Sequence, residues 1–216
     1  MKRARIWTGI DRRASLSLGR SMRGLQTAAL LPVRLRITGG GAVLRGPWML
    51  RCAVRLPREH ELLRGGPAQA ARWLGGVHVK WLRRMGMAHV ECYEGPVLEH
   101  WSCFAGRVPG EVVMHRQKIT GIAQTWRRHD VLLTSGTLLS AVPWSLLCDA
   151  MHRSRLFEAD ALKVRAIDVQ QCLGSLPPQP WAESLFVTLS EALLSAQPLA
   201  PNASEIRPIA HSGCDR

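Results

Sequence analysis

At 216 residues, 46% hydrophobic and 21% charged, the chain carries enough apolar material for one sizeable core. No stretch approaches the ~18 uninterrupted apolar residues of a membrane span, so a soluble, cytoplasmic protein without membrane association is expected. Six unevenly spaced cysteines without a CxxC pair disfavour a disulfide scaffold and a zinc ribbon, and no metal-ligand cluster stands out.

The net charge of +13 is lopsided. Residues 1–58 hold 13 Lys and Arg against one acid, Asp11, whereas the remainder is nearly neutral. A basic half beside a neutral half marks a surface that meets an acidic partner. Residues 1–23 are basic and Ser-containing, and read as a basic first strand in preference to a transit peptide. Residues 14–18 form a strand running into Gly19-Arg20, and residues 31–37 form another that enters Thr38-Gly39-Gly40-Gly41. Residues 42–44 and 49–56 continue the strands. Residues 67–87 place Ala70, Leu74, Val77, Trp81 and Met85 at helical spacing, with Gly75-Gly76 as a weak point. A strand at 88–93 precedes segments 111–114, 118–126 and 131–139, which suggest an antiparallel meander. After Pro143 the pattern turns helical, with Trp144, Leu147 and Met151 on one stripe. A last helix carries Trp181, Leu185, Leu189 and Leu193 up to Pro198. The order predicts an α+β fold, a mostly antiparallel sheet flanked by helices, as one domain over 1–198 with a flexible tail at 199–216.

Three segments carry the chemical signal. They are Arg36-Ile37-Thr38-Gly39-Gly40-Gly41-Ala42-Val43-Leu44; Ser102-Cys103-Phe104-Ala105-Gly106 leading to Glu111; and Gln117-Lys118-Ile119-Thr120-Gly121-Ile122-Ala123-Gln124, followed by Ser135-Gly136-Thr137-Leu138-Leu139. In this order they resemble the biotin/lipoate protein ligase superfamily, in its lipoate ligase and octanoyltransferase branch. The resemblance runs from about Leu16 to Met151 and implies a catalytic domain related to the core of class II aminoacyl-tRNA synthetases. It implies that Gly39, Gly40 and Gly41 line an acyl or acyl-adenylate pocket, with Arg36 and Thr38 beside them. It also implies that Lys118 touches the acyl carbonyl or phosphate and that Thr120, Gly121 and Ala123 wall the same tunnel. Three positions depart from the pattern: Leu35 replaces the first of two arginines, Arg45-Gly46 replaces His-Asp, and Ser135 replaces the histidine of the last strand.

Cys103, fifteen residues before Lys118, resembles the nucleophile of cysteine-dependent octanoyltransferases. A free thiol has a reference pKa of ~8.5, so a nearby ammonium such as Lys118 is expected to favour the reactive thiolate. The expected function is attachment of an octanoyl or lipoyl group to a lysine of a lipoyl domain, through a Cys103 thioester and without a cofactor. The implied partners are lipoyl domains of 2-oxoacid dehydrogenases, the glycine cleavage H protein and acyl carrier protein. The first alternative is an ATP- and Mg-dependent lipoate ligase acting through an acyl-adenylate. The second is a degenerate, non-catalytic binding module with a basic N-terminal surface. Nucleic acid is a poor candidate ligand, since the eight Trp are dispersed and no RNP-like or helix-turn-helix pattern occurs. On this reading Lys118→Ala abolishes transfer and leaves the fold intact.

Overall fold

The computed structural model describes residues 4–175 and 180–196; the tail expected at 199–216 lies outside the described residues. The main sheet has six strands: β1 (Arg5–Ile10), β5 (Met49–Pro57), β9 (Asp130–Leu138), β8 (Gln117–Trp126), β7 (Val112–Met114) and β6 (Val90–Cys92). They lie side by side in that order and every neighbouring pair is antiparallel. A smaller sheet places β2 (Ser15–Leu18) between β3 (Val33–Leu35), parallel to it, and β4 (Val43–Arg45), antiparallel to it. The expected α+β architecture is therefore present. The strand expected at 31–37 shortens to three residues, and the basic N-terminus divides into two strands assigned to different sheets.

Among the described residues there are five α-helices: α1 (Gly66–Arg84), α2 (Trp144–Ala150), α3 (Arg155–Lys163), α4 (Val169–Leu173) and α5 (Trp181–Ser195). The helices α1 and α5 cover one face of the main sheet. There Leu74, Trp81, Leu185 and Leu189 pack against Leu50, Val54 and Leu133, all within one buried cluster. The rings of Trp81 and Trp181 meet edge to face at 5.9 Å, which adds geometric preference to apolar burial. A second cluster joins Leu16, Leu18 and Leu44 of the small sheet to Met49, Leu138, Phe104, Leu147 and Leu162. The small sheet thus stands over the other face of the main sheet, and the candidate site lies between them.

The weak point expected at Gly75-Gly76 is an uninterrupted part of α1. A Cβ on Gly75 would stand 1.9 Å from the Gly110 carbonyl oxygen, so the helix needs glycine where the 108–111 turn presses against it. That contact seats Glu111.

Candidate functional site

The glycine loop leaves β3 and is held by Arg36. The Arg36 Nη2 and Nε donate to the Gly39 carbonyl at 3.0 and 3.2 Å, and Nη1 donates to the Ser17 carbonyl at 2.8 Å. Gly40 has φ of 89°, the left-handed region, and a Cβ there would crowd the Arg36 guanidinium at 3.2 Å and touch the Cys103 sulfur at an ordinary contact distance of 3.7 Å. Beyond the loop, the Ala42 N–H donates to Trp101 O at 2.6 Å and the Cys103 N–H donates to Ala42 O at 2.9 Å. This short parallel bridge carries Cys103 to the glycines across sixty residues of sequence. Arg36 and Cys103 thus both stand against Gly40. Burial lowers the Arg36 pKa, and the Cys103 sulfur partly opposes that shift.

Lys118 is almost fully buried at the start of β8. Its ammonium donates to the carbonyls of Cys103 at 2.7 Å and Gly106 at 3.1 Å, and pairs with Glu111 Oε1 at 2.7 Å. Three donors meet three acceptors, so the amine is saturated. It also lies 5.6 Å from the Phe104 ring centre. Glu111 is equally committed: Oε1 accepts from the Ile122 N–H at 3.1 Å and Oε2 from the Val108 N–H at 2.9 Å. A register shift between Val112 and Val113 turns Lys118 onto the face shared by Gly121. Lys118 thus braces the peptide of Cys103 and also lines the larger cavity.

Two cavities meet here. The larger, of about 830 Å³, is lined by Gly39, Trp101, Val108, Lys118 and Gln124 among others. The smaller, of about 430 Å³, runs between the two sheets over Gly121, Ala123, Thr134, Ala53 and Trp7. Cys103, Ile122 and Ala123 belong to the walls of both. Gly40 and Gly41 face the larger cavity, and Arg36 and Thr38 the smaller. Thr120 joins neither wall. Strand alternation turns it to the α1 side, where its hydroxyl meets Thr137 at 2.8 Å. That face holds a buried polar chain: Thr137 to His78 Nδ1 at 3.4 Å, His78 Nε2 to Ser135 at 2.8 Å, and Ser135 to the Cys52 sulfur at 3.0 Å. Burial pushes the His78 pKa down to about 3 and the Cys52 thiol up to about 11, so both stay neutral.

Sequence reasoning assigned no role to Glu111, although it opens the strand before Lys118. Arg51 has no role in the sequence reading either; with Arg45 it lines the far end of the smaller cavity, and both pair with Asp11. His100 lines the larger cavity, where its Nδ1 accepts from the Ser102 N–H at 3.1 Å.

No protein-family description and no curated protein sequence matches the chain. Solved structures do match. A lipoate-protein ligase A bound with ATP superposes at a TM-score of 0.65 and 16% identity, covering 89% of this chain and 74% of that one. The chain has the lipoate–protein ligase fold. A bi-partite lipoate protein ligase from Thermoplasma acidophilum, described together with its E2 lipoyl domain, gives 0.62 and 18%, covering 88% and 71%. A P. falciparum protein solved in complex with lipoate gives 0.63 and 12%, covering 91% of this chain and 52% of that one. With the lipoate ligase fold in place, the glycine loop and the Lys118 strand occupy the space between the sheets where the two cavities join.

Proposed function

We propose that the chain transfers a medium-chain acyl group, octanoyl or lipoyl, to a lysine of a lipoyl domain or glycine cleavage H protein through a thioester on Cys103. The observation that supports this best is the position of Cys103 in the walls of both cavities, against Gly40 and beside the Arg36 guanidinium. In the first half-reaction the Cys103 sulfur attacks the carbonyl of a donor thioester, such as acyl carrier protein supplies. The new S–C bond replaces the donor's, and the donor thiol leaves with the proton that Cys103 gave up. In the second, the acceptor amine attacks the same carbonyl, an amide forms, and the cysteine recovers a proton from the amine. The Arg36 guanidinium stands beside the sulfur that takes the acyl group. The Lys118–Glu111 pair holds the peptide that presents the sulfur. The basic N-terminal surface meets the acidic carrier and acceptor domains.

The alternative is an ATP- and Mg-dependent ligase, favoured by a fold neighbour solved with ATP. The donor inventory fits phosphate poorly. Lys118 has no free proton, and Arg36 spends its donors on the carbonyls of Gly39 and Ser17. The two routes separate when the protein is incubated with a lipoyl domain and either octanoyl-acyl carrier protein, or octanoate with ATP and magnesium. Modification in the first mixture is expected; modification only in the second overturns the thioester route.

A further inference from the structure

The smaller cavity ends in charge. Its floor follows the cross-strand row Ala123, Thr134, Ala53, Trp7, running from β8 to β1. Three of these four side chains are small, so the row forms a trough that stops at the indole. Over the Trp7 ring, 4.7 Å from its centre, lies the Arg51 guanidinium, and Arg45 lines the same end from the small sheet. Both guanidiniums grip one carboxylate. Arg45 Nε and Nη2 donate to Asp11 at 2.9 and 3.1 Å, and Arg51 Nη2 donates at 2.8 Å with its Nε also 2.8 Å from Asp11. The Nη1 of each makes no hydrogen bond among the described residues, and the buried Arg51 Nε, although near Asp11, makes none either. A tie between the sheets needs one arginine for one aspartate; here there are two. Burial first, then Arg45 and Arg34, disfavour the charge on Arg51, and Asp11 offsets them only in part. Arg45-Gly46 also stands where the family resembled by the sequence has His-Asp.

We infer that this end of the slot seats an anionic terminus, so that the cargo best suited to the chain is a medium-length acyl group ending in a carboxylate. The inference rests on the proposed Cys103 thioester, which sets the other end of the slot. From Ala123 to Trp7 the floor crosses three inter-strand steps of ~4.8 Å, about 14 Å, room for a thioester-linked chain of roughly eight carbons. A methyl terminus there leaves two guanidinium edges desolvated without a partner. A carboxylate accepts from both Nη1 groups and neutralises the surplus charge.

The test is direct calorimetric binding of methyl octanoate and monomethyl octanedioate to the full chain, two esters without charge at the near end that differ only at the far end. The monomethyl diacid is expected to bind about ten- to a hundredfold tighter, the gain of a charge-assisted contact. Arg51→Gln is expected to erase the preference. Asp11→Asn, which frees both guanidiniums, is expected to enlarge it, whereas a purely structural clasp predicts no gain. Equal or tighter binding of methyl octanoate by the unmodified protein, or no heat with monomethyl octanedioate at millimolar concentration, overturns the inference without recourse to any variant. A separate incubation with octanoyl and octanedioyl monothioesters of N-acetylcysteamine reads the mass shift at Cys103. Acid preference without an adduct overturns the thioester route and leaves the anionic seat standing. An adduct without preference does the reverse.

Discussion

The Lys118 ammonium and the Glu111 carboxylate meet at 2.7 Å with side chains only 2% and 3% exposed. A charge pair sealed this far from water is costly to break, because removing one member strands the other. Lys118→Ala is therefore expected to lower stability by about 3–5 kcal/mol, in urea unfolding, as well as to stop acyl transfer. This revises the expectation of an intact fold drawn from the sequence. The double variant Lys118→Met with Glu111→Gln is expected to recover much of the stability and none of the transfer.

Among the described residues the Cys103 sulfur makes no hydrogen bond, and its backbone contacts to Ala42 and Lys118 do not depend on the side chain. Cys103→Ser is expected to unfold at the same temperature as the parent, to form no acyl adduct by intact mass, and to lose transfer by about a hundredfold or more. Undiminished transfer by this variant would remove the thioester from the mechanism.

The parts of the molecule that could be read from the sequence are those whose signal is local. Glycines 39–41, the alternating strands around Lys118 and the four-residue spacing of Trp181, Leu185 and Leu189 each declare their element within a few residues. What escaped depends on register between distant strands. Glu111 finds Lys118 only because a bulge beside Val113 rotates the lysine, and α1 tolerates Gly75 only because Gly110 approaches it. The join of Arg45 and Arg51 through Asp11 spans two sheets. The face occupied by Thr120 follows from that same bulge, so counting from Lys118 by twos misplaces it.

Gly40 combines a positive φ with the Arg36 guanidinium and the Cys103 sulfur on the side where a Cβ would stand. Gly40→Ala is expected to cost about 1–3 kcal/mol through backbone strain. It is also expected to slow Cys103 alkylation by iodoacetamide, since the added methyl group covers one side of the sulfur and displaces its guanidinium neighbour. Gly39→Ala, with open space beyond its Cα, is the matched control and is expected to change alkylation little.

Arg5, Arg12 and Arg13 are exposed on the basic side of the chain. Replacing all three with Gln is expected to lower the association rate with an acidic lipoyl domain about tenfold at low salt, and by little at high salt. Stopped-flow measurements at two ionic strengths check this. An unchanged low-salt rate would remove the docking role.

His78 stays neutral in the fold because burial drives its pKa from the usual 6.5 down to about 3. In the unfolded chain it takes up a proton near 6.5, so between those two values the unfolded state binds more protons than the folded one. Stability from this group is complete above pH ~6.5 and is lost as the pH falls towards ~3, at up to ~1.4 kcal/mol per unit. Urea unfolding of the parent from pH 7 to pH 4 is expected to show that slope. A His78→Gln variant, which keeps a polar partner for Ser135 without a titrating ring, is expected to show a shallower one. Equal slopes for the two proteins would mean that His78 is not the group that senses acid.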